Sequence, residues 1–184
     1  MSERAWAQVE AAVERYYSDL LSRLRRGRLE GRRPNVFFAA LVGKGASRLS
    51  SLERTGVTLL GQYAPEFFKP FFSDVKPLPA PFDFYGVLRG REYYVLVVSG
   101  PDAFNRVTEE YVAEASTRYE RPVILTLQGP YFAPRQVGRA EWLPAAKSWE
   151  VVAGRGAYQR FRDIVYEKGR ACREEVWRLL REQA

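Results

Sequence analysis

Three observations predict an α+β (α/β) fold, a small mixed β-sheet flanked by helices with an N-terminal helical extension. Apolar residues recur every three or four positions over long stretches near both ends of the chain. The middle carries short runs rich in Val, Tyr and Phe, separated by Gly, Pro and Asn. A helical stretch falls between strand-like segments there, which suits a crossover and a parallel strand pair. At 184 residues the chain has room for one domain, 1–184, and not for two full cores. With 46% hydrophobic and 28% charged residues the composition is globular, which excludes a disordered tail or a fibrous repeat.

The spacing of Trp6, Val9, Val13, Tyr16, Tyr17, Leu20, Leu21 and Leu24 predicts a helix over 3–24, with Ser2 as its N-cap. Arg25, Arg26, Arg28, Arg32 and Arg33 follow, five arginines in nine residues before Pro34. This basic stretch completes an N-terminal part, 1–33, and suits either a solvated connector or an arm laid on phosphates. Residues 35–73 read as interrupted helix. Asn35 suits a cap, Gly43-Lys44-Gly45 breaks the pattern, and Leu59, Leu60, Tyr63, Phe67 and Phe68 share a later stretch. Pro65 belongs at the start of that later helix or kinks it. Gly43-Lys44-Gly45 lacks the spacing of a phosphate-binding loop.

Lys76-Pro77-Leu78-Pro79-Ala80-Pro81 holds too many prolines for a central strand and reads as a linker or an edge. Residues 82–88 and 92–99 are two strands joined by a tight turn at Arg89-Gly90-Arg91. The second is so apolar that burial on both faces is expected. Asn105 opens a helix with Val107, Tyr111, Val112, Ala115 and Tyr119 inward. A short strand over 122–127, a further strand within 131–143 and a short helix over 146–153 follow. After Gly154-Arg155-Gly156, a last helix carries Tyr158, Phe161, Ile164, Val165, Cys172, Val176 and Leu179 on one face.

The net charge is +7, from 24 Arg and 5 Lys against 22 acids, which suits nucleic acid or another anionic surface. The chain has no histidine, so a Ser-His-Asp triad, an HExxH zinc helix and a histidine base are all excluded. The lone Cys172 excludes a disulfide framework and an all-cysteine zinc site. Any catalysis must rest on carboxylates, Lys, Tyr, Ser or a carboxylate-held metal. No stretch approaches the roughly 18 apolar residues of a membrane helix. The first residues, with Glu3, Arg4, Glu10, Glu14, Arg15 and Asp19 at helical spacing, do not read as a signal peptide. A cytoplasmic protein with no membrane partner is therefore expected. Few Asn, Gln, Cys and Met beside abundant Arg and Glu suit a thermophilic source.

The segment from Asp83 to Asn105 carries the candidate chemistry. A carboxylate lies on the first strand of a hairpin, and the second strand runs into Ser99-Gly100-Pro101-Asp102-Ala103-Phe104-Asn105. Upstream stands Thr58-Leu59-Leu60-Gly61-Gln62-Tyr63 followed by Glu66. Downstream stand Trp149-Glu150-Val151-Val152-Ala153-Gly154, then Tyr158, then Gly169-Arg170-Ala171. In this order and spacing the chain resembles the PD-(D/E)xK nuclease superfamily, and within it type II restriction endonucleases, over residues 34–180. The resemblance implies a restriction-endonuclease-like core over 34–184 and double-stranded DNA as the partner. It also implies a homodimer, or pairing with an active nuclease subunit.

The resemblance further implies Mg²⁺ held by Asp83 and Glu66 beside a lysine. There the metal lowers the pKa of the attacking water and neutralises developing charge. This chain departs from the family at three positions. Val98 stands where the family has its Lys, Leu96 stands at the optional acid, and Asp102 replaces an Asn. Lys69 or Lys76 would have to reach in from elsewhere to supply the amine.

Three functions are expected from this. The first is a DNA-binding pseudo-enzyme whose metal-dependent nuclease site is impaired or lost. The second is an active Mg²⁺-dependent type II restriction endonuclease that hydrolyses DNA phosphodiesters with Glu66, Asp83 and a relocated lysine. The third is a non-catalytic protein-interaction subunit. DNA contacts are expected from Arg25, Arg26, Arg28, Arg32, Arg33, Ser99, Asn105, Arg135 and Arg139. Tyr131 and Phe132 suit bases, although a surface hairpin would look the same. Without the resemblance, Asp83 is a solvated or hydrogen-bonded edge carboxylate and Glu66 a favourable charge in the first turn of a helix. Ser99-Gly100-Pro101-Asp102 would then be an ordinary turn and cap.

Overall fold

The computed structural model describes residues 2–26, 51–98, 109–121, 123–125 and 133–183. Helix α1 (Ser2–Arg26) forms on its single apolar stripe, and Trp6, Val9, Val13, Tyr16, Tyr17 and Leu20 are all buried. It is part of the main core rather than an appendage to it. Helix α2 (Ser51–Phe68) buries Leu59, Ala64, Phe67 and Phe68 on the same core. Pro65 lies in the last turn of this helix, not at its start, and the chain then tightens into a 3₁₀ turn (Lys69–Phe71).

Strand β1 (Ser73–Pro77) is exposed along its length and forms the edge of an antiparallel sheet, β1-β2-β3. Its Lys76 and Pro77 suit such an edge, because both discourage pairing with a further strand. Strands β2 (Phe84–Leu88) and β3 (Arg91–Val95) pair with Phe84 opposite Val95 and Leu88 opposite Arg91. Arg89 and Gly90 between them have φ of 53° and 79°, the left-handed pair that fits a two-residue hairpin between twisted strands. Gly86 is required by packing, because a Cβ there would stand 2.9 Å from Phe72 Cβ.

Past the end of β3 the chain runs between two apolar clusters. Val95 and Val97 belong to the first with α1, α2 and the C-terminal helices, whereas Leu96 and Val98 belong to the second. Residues 95–98 are thus buried, as their composition predicts, but the strand expected over 92–99 ends at Val95 and is only half-buried over 92–94. Helix α3 (Glu109–Arg118) contributes Val112 and Ala115 to the second cluster. Tyr111, expected inward, is 47% exposed: it lies about 100° around the helix from the buried Val112.

Strand β4 (Val123–Leu125) lies against β3 but finds its parallel partner in β6 (Ala140–Leu143). Strand β5 (Arg135–Val137) pairs antiparallel with β6, so the region expected as one strand contains a hairpin. Helix α4 (Ala145–Ala153) follows, with Trp149 at the centre of the first cluster. The single last helix expected from periodicity is two helices, α5 (Ala157–Lys168) and α6 (Arg170–Gln183). They part at Gly169, where a Cβ would stand 2.7 Å from the Tyr17 ring and hydroxyl of α1.

Trp149 has no exposed surface and stacks on Trp6 at 5.6 Å and on Phe161 at 4.5 Å. Trp149→Ala is expected to cost about 3–5 kcal/mol, and Gly86→Ala about 1–3 kcal/mol through overpacking. Urea unfolding checks both, as a lower midpoint at unchanged slope. Midpoints equal to that of the parent would refute these packing roles.

Candidate functional site

Asp83 stands one residue before β2, held between Phe82 of the second cluster and Phe84 of the first. Its backbone N–H donates to the Val95 carbonyl at 2.7 Å. Its Oδ2 accepts the Val97 N–H at 2.5 Å, so the carboxylate replaces a backbone carbonyl where the β2–β3 ladder ends. Burial pushes the carboxyl up to about 6, against the Val97 hydrogen bond and the positive charge of Lys69, which both pull it down.

Lys69 opens the 3₁₀ turn after α2. Its Nζ lies 2.8 Å from Glu66 Oε1 and 5.8 Å from the centre of the Phe84 ring. Glu66 is in the last turn of α2, so the first-turn role that its neighbour Pro65 suggests does not apply. The fold therefore gives Lys69 an ion pair with Glu66 and an electrostatic pull on Asp83. Lys76, the other lysine near in sequence, is on the exposed edge strand.

Leu96 and Val98 are 5% and 2% exposed and pack with Phe82, Val112 and Trp142. A charged group at either place would be buried among apolar side chains. Ser99, Asn105, Arg28, Arg32 and Arg33 lie outside the described residues, and Arg25 and Arg26 end α1. Arg135 and Arg139 are exposed on the β5–β6 hairpin, the second with its backbone N–H on Ser116 Oγ at 3.2 Å.

As ligands for Mg²⁺ these residues fit poorly. One Asp83 oxygen accepts a backbone N–H, Glu66 is paired with an ammonium, and the segment after β3 offers Leu96 and Val98 in an apolar core. Magnesium ions require several oxygen ligands in near-octahedral array. Among the described residues, no group of three or more His, Cys, Asp or Glu is placed to hold a metal. Also among them, no helix is long and apolar enough to cross a membrane. No family model, no curated protein and no solved structure matches the chain.

Sequence reasoning names Asp83 and Glu66 but misses the Val97 amide, since backbone donors carry no residue signature. The i, i+3 spacing of Glu66 and Lys69 is the signal that favours Lys69 over Lys76. Asp83 binds its proton more tightly folded than unfolded. Its contribution to stability is therefore full below the ordinary value of 3.8 and lost as pH rises through about 6. Asp83→Asn keeps an oxygen for the Val97 N–H and removes the titration. Thermal melts between these two pH values should accordingly show a flatter dependence for the variant. Parallel curves would refute the assignment.

Proposed function

We propose that this chain is a duplex-DNA-binding protein of restriction-endonuclease-like architecture whose metal-dependent nuclease centre is impaired. The observation that carries the reading is the use of Leu96 and Val98, the places of the family's acid and lysine, as core residues. The order of elements supports the architecture: a helix ending in Glu66, a hairpin entered through Asp83, a helix, and then a strand against β3. Helices on both sides of the β3 segment agree with it. The net charge of +7 and the exposed Arg135 and Arg139 suit a phosphate backbone.

A second reading, an active Mg²⁺-dependent endonuclease with a relocated lysine, is favoured by one observation, the place of Lys69 against Glu66 and the ring of Phe84, next in sequence to Asp83. Binding of labelled duplex DNA at increasing salt tests both. The first reading expects affinity that falls steeply with salt, with a slope reduced by about 1 for each of Arg135→Ala and Arg139→Ala. It also expects the same affinity with a chelator as with Mg²⁺, and uncut DNA. Cleavage in Mg²⁺ that is abolished by Asp83→Ala would establish the second reading instead. The absence of any salt-dependent binding would overturn both and leave a protein-interaction subunit.

A further inference from the structure

We infer that the side of α5 turned away from α1 is a seat for the phosphate backbone of duplex DNA, with Arg155 and Arg162 as its contacting cations. This inference rests on the reading of the chain as a DNA-binding protein and gives that reading a surface. Helix α5 divides its charges between two sides. On the side towards α1, Arg160, Asp163, Glu167 and Lys168 line a groove with Glu10. The cations there are taken by α1: Arg160 Nη2 lies 2.8 Å from Glu3 Oε2, and Lys168 Nζ lies 2.7 Å from Glu14 Oε1.

The other side alternates arginine with tyrosine and contains no acid. Tyr158, Arg162 and Tyr166 recur every four residues and form one row, and Arg155 stands just before the helix. Arg155 and Arg162 are exposed, and neither has an ion pair among the described residues. The Arg162 guanidinium lies 5.8 Å from the centre of the Tyr158 ring. Arg173 of α6 lies 4.2 Å from the centre of the Tyr166 ring, which is 53% exposed. An arginine laid over a ring has part of its side-chain freedom already removed, while its N–H fork stays open to a second partner. Phosphate oxygens suit that planar fork in pairs. Arg173 is half-buried, with Nη1 turned in towards Gly169, so it adds charge behind Tyr166 and not a contact. The row thus presents free positive charge to one side only, as a polyanion laid along the helix requires.

The test measures affinity for a labelled DNA duplex at rising salt with three full-length proteins. These are the parent, the double variant R155A/R162A, and the double variant R118A/K168A. The last removes the same charge from cations that already hold a carboxylate, Glu114 and Glu14. The slope of log affinity against log salt should fall by about 2 in R155A/R162A and stay at the parent value in R118A/K168A. An unchanged slope in R155A/R162A would overturn the inference, and the proposed function would survive it if Arg135→Ala and Arg139→Ala still lower theirs. An equal fall in R118A/K168A would also overturn it, because net charge and not a seated contact would then account for the loss. A parent that binds no duplex at any salt would sink the proposed function and this inference together.

Discussion

The structure depends on one aromatic stack. Trp149 of α4 lies nearly parallel to Trp6 of α1, at 17°, and to Phe161 of α5, at 21°, with Phe68 of α2 tilted against it at 4.6 Å. Four helices, of which only α4 and α5 are neighbours in sequence, meet on this one indole. Each such ring pair adds about 0.5–1.5 kcal/mol beyond the area it buries. Arg160 continues the stack, with its guanidinium 4.6 Å from the Trp6 ring and a bidentate grip on Glu3. That exposed ion pair contributes little by itself, so the weight falls on the rings.

The candidate site is a consequence of this packing. Phe67 and Phe68 draw the end of α2 into the core, which leaves Glu66 and Lys69 at its margin. Phe84 enters the same cluster from β2 and brings Asp83 with it, one residue earlier. The far side of the sheet is filled as well, because α3 and the β5–β6 hairpin cover Leu96 and Val98. The segment after β3, buried between the two clusters, stabilises the domain through apolar area. The same burial makes charged side chains too costly there without partners. Apolar packing thus occupies both positions, where a charged side chain would be buried without a partner.

The parts of the fold legible in the sequence are those fixed by local periodicity. Helix α1, the Arg89–Gly90 turn, the proline-rich edge and the doubly buried run after Tyr94 follow from spacing and turn chemistry alone. Other features needed a distant partner. The break at Gly169 is invisible to periodicity because apolar residues keep their phase through it, and the need for a glycine there comes from Tyr17 in another helix. Pro65 lies late in α2, where it supplies no N–H to the carbonyl four residues back, whereas the sequence alone places it at a helix start or a kink.

From the candidate site, the carboxylates were legible and their surroundings were not. Residue identity alone established that no imidazole or thiol cluster can act here, that the chain carries excess positive charge, and that valine and leucine stand after Tyr94. Only the tertiary structure decided that Lys69 also stands over the Phe84 ring, next to Asp83, and that Asp83 spends one oxygen on the Val97 amide. The physical reason is one of range. Helical and strand periodicity act over a few residues, whereas a carboxylate responds to whichever charge and amide the packing of remote segments brings within hydrogen-bonding or Coulombic reach.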